Sequence, residues 1–216
     1  MTPLLSAQDC IGIPDQECQL LWVLYYATGG PNWTAYVNWK PDIPVSWWYG
    51  ITTEPDDGGH VVGINLCAYG LIGEFPYYLA ELPRLRKLDL SLNELTGEIP
   101  PVLNKLAGLT ELDFSGNNFT GTIPVEIGAL TRLKYLNLAS NDFTGTIPSE
   151  FGNLINLTDL FLGGNNLVGE IPPELGNLTK LEDLELSANN LSGPLPTELG
   201  NLSNLKRLWL GGNSLE

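Results

Sequence analysis

Apolar residues recur along most of this chain in one fixed order, too irregular for a helix and too long for a strand. The stretch Leu133 to Pro148, LKYLNLASNDFTGTIP, places them at Leu133, Leu136, Leu138, Phe143 and Ile147, interleaved with Asn141 and Gly145. The first apolar position returns at 61, 85, 109, 133, 157, 181 and 205, a spacing of 24 with no insertion or deletion. A constant period in this range predicts a solenoid, whose coils bury their apolar sides only against their neighbours. Positions such as Ile64 and Leu66 are expected to point inward and the residues between them outward, the period-2 rule of a strand. The proline after each isoleucine-type position limits pairing there to a short or edge strand. Segments such as PSEFGNL are too short for a full helix and predict 3₁₀ turns.

The polar positions of the repeat carry their own expectation. Asn93, Asn117, Asn141, Asn165, Asn189 and Asn213 occupy the bend after each strand. An amide there can donate and accept, serving backbone groups that the bend leaves unpaired, so stacked coils predict a buried asparagine ladder. The first coil has Tyr69 instead and must satisfy its bend differently. Gly73, Gly97, Gly121, Gly145, Gly169 and Gly193 mark places where a side chain would strain or obstruct the turn.

Residues 1–60 break the period and read as an amino-terminal cap, with seven coils over 61–216, the last truncated. Asp15 is a favoured N-cap for a helix over about 16–28. Leu20, Leu21, Val23, Leu24 and Ala27 give it a broad apolar face, and Gly29-Gly30-Pro31 ends it. So short a helix is marginal alone, so its apolar side is expected to cover the open end of the solenoid. Residues 31–50 hold Trp33, Tyr36, Trp39, Trp47, Trp48 and Tyr49, read either as packing over the first coil or as an aromatic sugar-binding platform. EPDDGG, Glu54 to Gly59, is expected as a turn before His60-Val61-Val62 enters the first strand.

The pattern L-x-x-L-x-L-x-x-N-x-L-x-G-x-I-P, as LRKLDLSLNELTGEIP from Leu85 and LTDLFLGGNNLVGEIP from Leu157, resembles the plant-type leucine-rich repeat. The lead-in LWVLYYATGGPNWT with SWWYGITT resembles the Trp-rich cap that precedes such repeats in receptor ectodomains and in bacterial and algal proteins. The resemblance covers roughly residues 15 to 215. It implies an α/β fold: a right-handed solenoid with parallel strands on the concave face, 3₁₀ turns and short second strands elsewhere, and a helical cap. It also implies a disulfide between Cys10 and Cys18, since related caps often carry one there, with Cys67 left free. A second cysteine pair is usual in plant caps; here Thr53 stands near where one partner would be expected. The family binds peptides, proteins, glycans and small hormones on one scaffold, so the fold alone names no ligand.

Charge narrows the partners. The chain has 25 acidic and 10 basic residues, a net charge of −15. Nucleic acid and anionic lipid would be repelled. No apolar run approaches the ~20 residues that span a bilayer. Met1-Thr2-Pro3 has no secretory signal, and Leu215-Glu216 stops in mid-repeat. We therefore expect engineered ends, a removed signal peptide and a natural protein that continues past 216.

Catalysis is not expected, nor any cofactor or metal. His60 with Cys67 is the only nucleophile–base combination involving the single histidine, and nothing in the sequence supplies a third orienting group. Three cysteines and one histidine lack zinc-ligand spacing, and no phosphate-binding glycine loop follows a strand.

The outward strand positions look least constrained by the fold and are the candidate ligand-binding residues. One column reads Gly63, Lys87, Glu111, Tyr135, Asp159, Asp183, Arg207, and the next Asn65, Asp89, Asp113, Asn137, Phe161, Glu185, Trp209. Seven strands at ~4.8 Å span about 29 Å, enough for an extended peptide or a helix. The expected function is non-catalytic recognition of a protein or peptide, basic in character, by a monomeric receptor ectodomain or secreted protein outside the cell. The alternatives are a cytoplasmic signalling domain and a surface adhesin that binds glycan or ice. Sequons at Asn32, Asn118, Asn156, Asn177, Asn190 and Asn201 are candidates for N-glycosylation, although the repeat consensus itself writes most of them.

Overall fold

Each coil contributes one short strand to a common parallel sheet, and the cap adds an antiparallel strand at its edge. The structure is a computed structural model that describes residues 10–34, 38–54 and 58–216. We label the sheet strands β1 (Ile51–Glu54), β2 (His60–Asn65), β3 (Lys87–Asp89), β4 (Glu111–Asp113), β5 (Tyr135–Asn137), β6 (Asp159–Phe161), β7 (Asp183–Glu185) and β8 (Arg207–Trp209). They lie side by side in chain order, β1 antiparallel to β2 and the rest parallel. This is the leucine-rich-repeat solenoid that the 24-residue period implies. A 3₁₀ turn follows each coil's proline, as at Ser149–Asn153. Short second strands pair on the far side in two groups, with an isolated bridge between Thr122 and Thr144 in the gap between them.

The core is one column of stacked apolar layers. Leu136, Leu138, Phe143, Ile147, Phe151 and Leu154 fill the layer of the central coil, each nearly inaccessible. The repeat glycines Gly73, Gly97, Gly121, Gly145, Gly169 and Gly193, in or next to the second strands, all have positive φ. At Gly121 (φ 77) an added Cβ would also lie 2.7 Å from Glu98 Cγ of the coil before.

The asparagines join neighbouring coils through their side chains. In each, Oδ1 accepts a backbone N–H 22 residues upstream, from Leu71 N to Asn93 at 2.9 Å through Leu191 N to Asn213 at 3.0 Å. Each Nδ2 donates to carbonyls at the strand end of its own coil and of the coil before; Asn93 reaches Leu90 O at 2.9 Å and Leu66 O at 2.8 Å. Tyr69 has no earlier coil to serve, and its ring packs edge-on against Trp33 at 5.9 Å.

The cap helix α1 runs Asp15–Ala27. It is capped by extended Pro14 with no side-chain bond, so Asp15 is its first residue and not the expected cap. The C-terminal end is held by Thr28 Oγ1, which donates to Leu24 O at 2.7 Å. Trp22, Trp33, Trp39 and Trp48 are buried, with Trp39 and Trp48 centroids 4.9 Å apart. Trp33, Trp39 and Trp48 donate their indole N–H groups to Thr28, Tyr49 and Ile43 carbonyls. Four of the five cap tryptophans therefore serve packing. Trp47 and Tyr49, at 68% and 58% exposure, remain outside. Tyr36 and part of the expected 54–59 turn (residues 55–57) lie outside the described residues.

Buried Glu17, 2% exposed, ties the helix to the first coil. Its Oε2 accepts Val61 N at 2.7 Å and its Oε1 lies 2.5 Å from His60 Nδ1. His60 thus does have an orienting carboxylate, contrary to the reading from sequence. It still forms no dyad with Cys67, because seven residues of extended chain separate them by about 23 Å. The Cys10–Cys18 disulfide is formed, and Cys67 is a free thiol in the turn after β2.

Candidate functional site

The register of the sheet lays the outward residues in two straight columns. Gly63, Lys87, Glu111, Tyr135, Asp159, Asp183 and Arg207 are successive partners, as are Asn65, Asp89, Asp113, Asn137, Phe161, Glu185 and Trp209. The N-terminal half of this face, with Thr52 of β1 and Lys134 at its rim, encloses a groove of ≈ 640 Å³.

The second column is more constrained by the fold than the sequence suggested. Asp89 Oδ1 accepts both Ser91 N (3.0 Å) and Ser91 Oγ (2.6 Å), and Asp113 does the same with Ser115. Glu185 Oε1 accepts Ser187 N at 2.9 Å and also bonds its hydroxyl. Asn65 and Asn137 accept the N–H two residues on with their amide oxygens. These side chains close the turn that ends each strand, the short-range bond for which Asp and Asn are suited. The signal was present in the sequence: an acid in this column is followed two residues later by serine at 91, 115 and 187, whereas Phe161 and Trp209 are followed by Gly163 and Gly211.

Phe161 and Trp209 break the pattern. Gly163 N, which Phe161 cannot serve, is taken by Glu185 Oε2 of the next strand at 2.8 Å. The Phe161 ring is left to pack against Tyr135, centroids 5.7 Å apart. Trp209 lies at the last strand with the Arg207 guanidinium 5.4 Å from its ring centre.

The first column is a chain of charges, partly neutralised. Lys87 Nζ meets Glu111 Oε1 at 2.6 Å across two exposed side chains, a contact worth little in energy. Tyr135 OH and Asn137 Nδ2 both donate to Asp113 Oδ2 at 3.2 Å. Burial, with the Asp113 charge adding to it, pushes the Tyr135 hydroxyl up to about 12, so it stays a donor. Arg207 grips both oxygens of Asp183, which is buried beneath it and holds its proton less readily than an ordinary carboxylate. Asp183 is therefore not open to a partner, and neither Lys87 nor Arg207 is a free base. Burial pushes Asp159 the other way, upward.

None of the six sequons falls on β2–β8. Asn32, Asn118, Asn177, Asn190 and Asn201 are exposed. Asn156 is not: its Nδ2 donates to Thr131 O at 2.9 Å and its Oδ1 accepts Lys180 Nζ at 2.7 Å. The described residues hold no cluster of His, Cys, Asp and Glu suited to a metal, and no helix long and apolar enough to cross a membrane.

A family model described as a leucine-rich repeat region matches residues 76–214. Receptor-like protein 3 of Arabidopsis thaliana is 30% identical over 73 residues, 34% of this chain and 10% of that protein. Among solved structures, the ectodomain of the Arabidopsis receptor kinase HAESA, bound to an N-terminally extended IDA peptide hormone, aligns with a TM-score of 0.86 at 34% identity. That match covers 95% of this chain and 34% of that one. Pollen receptor kinase 3 aligns with a TM-score of 0.79 at 32% identity, covering 92% of this chain and 95% of its own. A plant ice-binding protein, with a TM-score of 0.67 at 20% identity, shares the fold alone. The chain thus spans about a third of the HAESA ectodomain and a tenth of Receptor-like protein 3.

Proposed function

Because the chain belongs to the leucine-rich-repeat family, we propose that it is a non-catalytic recognition module holding a basic peptide or protein segment on its concave strand face. The observation that carries this reading is the break in the turn-closing column at Phe161. There an aromatic ring replaces a structural carboxylate, the lost bond is supplied by Glu185, and the half-buried ring is left on the outward face of the sheet, packed against Tyr135 at the groove's edge. Large rings that the fold does not need are the residues that usually dominate interface energy. Toward β3 and β4, Asp89 and Asp113 are anchored only by neutral donors, so their negative charge persists and favours a cationic segment. HAESA, a neighbour solved with a peptide hormone, supports a peptide as the class of ligand. The Cys10–Cys18 disulfide supports an oxidising, extracellular setting for a receptor or a secreted protein.

The test is selection from a random peptide display library, followed by binding kinetics on the enriched peptides. Enrichment of Lys- or Arg-bearing peptides with an apolar residue is expected. Asp89→Asn with Asp113→Asn should slow association and flatten its salt dependence, whereas Phe161→Ala should speed dissociation. Asn keeps the turn closed, as Asn65 and Asn137 do, so the first pair removes charge alone. Enrichment of acidic peptides, or a footprint on the opposite face with these changes silent, would falsify the proposal.

A further inference from the structure

On this same face two acidic side chains meet with no cation between them. β6 and β7 pair in register so that Asp159 and Asp183 stand directly opposite on neighbouring strands, about 4.8 Å apart at the backbone. Two carboxylates so placed repel, whereas one proton held between them converts the repulsion into a hydrogen bond. Their surroundings are unequal. Asp183 is 3% exposed, and from β8 Arg207 holds both its oxygens, Nε to Oδ1 and Nη2 to Oδ2. That guanidinium keeps Asp183 ionised. Asp159 has no such partner: Thr158 Oγ1 donates to its Oδ2 at 2.6 Å, and burial together with the nearby Asp183 charge favours its neutral form.

The remaining groups leave this asymmetry in place. From β5, Tyr135 faces Asp159 as a neutral hydroxyl that donates to Asp113 of β4. Lys134 and Thr158 line the same rim. Glu182, beside β7, is paired with Lys206 at 2.6 Å, and Glu185 is turned toward Ser187 and Gly163. Phe161, the outward neighbour on β6 itself, carries no charge.

We propose that Asp159 and Asp183 share a single proton, resident on Asp159, and that this pair makes the docking face proton-sensitive. Below its titration Asp159 is a neutral carboxyl lying against the ion-paired carboxylate; as pH rises through it the face gains one negative charge. A cation seated over Asp159 competes with the proton and expels it. Binding of a basic segment then tightens with rising pH, by as much as about tenfold per pH unit until Asp159 is fully ionised, and is flat above that. The regulatory half of this proposal rests on the docking reading; the shared proton does not.

Side-chain carboxyl NMR of the whole chain across pH tests the pair. Asp159 should titrate alone, above the ordinary aspartate value of ~3.9, and Asp183 well below it. In Arg207→Gln the two should titrate over a common range, as coupled groups do. Asp159 titrating in the ordinary range, or unmoved by Arg207→Gln, overturns the pair. Calorimetry with a synthetic oligolysine, in two buffers of different ionisation enthalpy, tests the regulation. Proton release is expected from the wild type and none from Asp159→Asn. Oligolysine binding without proton release overturns the regulation while the docking reading stands. An elevated Asp159 titration with no oligolysine binding at any pH overturns both the docking reading and the regulation, and leaves only the shared proton.

Discussion

Asn141→Ala removes one rung of the asparagine ladder, and its cost follows from what each partner has left. Asn141 Nδ2 donates to Phe114 O (3.0 Å), Leu138 O (3.2 Å) and Ala139 O (3.2 Å). All three carbonyls keep another donor: Asn117 Nδ2 at 3.1 Å, Asn165 Nδ2 at 3.0 Å and Gly116 N at 3.0 Å. Phe119 N is different, because the bond it loses is the one to Asn141 Oδ1 at 3.1 Å, inside a layer that water does not enter. The expected loss is therefore that of one orphaned buried amide, ~1–3 kcal/mol. Asn118→Ala, one residue away and exposed, should stay within ~0.5 kcal/mol. Asn141→Asp sharpens the test, since a carboxylate still accepts from Phe119 N but turns an anion toward three carbonyl oxygens. It should be worse than Ala at neutral pH and recover in acid. Equilibrium urea unfolding, followed by tryptophan fluorescence and far-UV circular dichroism, reads all three. Equal losses for Asn141→Ala and Asn118→Ala would show that the ladder does not act through Phe119 N, and Asp tolerated as well as Ala would show that the three carbonyls do not require a donor there.

Three further outcomes are expected. Glu17→Ala should destabilise the cap by about 1.5–3 kcal/mol, because it strips Val61 N and His60 of a buried charged acceptor; hydrogen exchange at Val61 as slow as in the wild type would contradict this. Ala188→Gly should stabilise by up to about 1 kcal/mol, because Ala188 holds φ 51 on an exposed bend, where an L side chain is strained; a lower urea midpoint would refute it. Alkylation of the native chain should label only Cys67, with three thiols after reduction, and loss of the short Cys10–Cys18 loop should cost about 2 to 3 kcal/mol in the chain-entropy picture. Three labelled thiols without reductant would exclude the disulfide.

Much of this architecture is legible in the chain because each coil repeats the same constraint. An uninterrupted period sets the register, so Asp89 against Asp113 and Asp159 against Asp183 follow from counting. Two kinds of feature escape such counting. The edge strand β1 lies outside the period, and its Ile-Thr-Thr-Glu run is too short to stand apart from the aromatic cap. Bends are the other case. Ala68, Leu92, Ser140 and Ala188 all take positive φ just before the ladder position, where Gly116, Gly164 and Gly212 do the same. Only the glycines announce that conformation; the other side chains accept it because the stacked coils hold the bend in place. Glu17 escaped for a similar reason: as an acid in a helix's first turn it reads as a favourable surface charge, and its burial depends on where the cap lands.

The double duty of the strand carboxylates explains how so acidic a face remains compatible with a rigid fold. Glu111 and Asp183 have their charge balanced by Lys87 and Arg207. Asp89 and Asp113 instead receive neutral N–H and O–H donors, which fix the carboxylate in one orientation without cancelling its field. A ligand cation meeting them pays little to order the groups it binds, which is the advantage of a preorganised site. Where the column turns aromatic, at Phe161, the structural bond passes to Glu185, and the face changes from charge to apolar surface without loss of the turn. The concave sheet thus has a direction: fixed negative charge toward β3 and β4, aromatic surface around β5 and β6, and an ion-paired end at β7 and β8. On the docking reading, an extended segment with leading cations at Asp89 and Asp113, an apolar residue against Phe161 and a further cation over Asp159 fits that order.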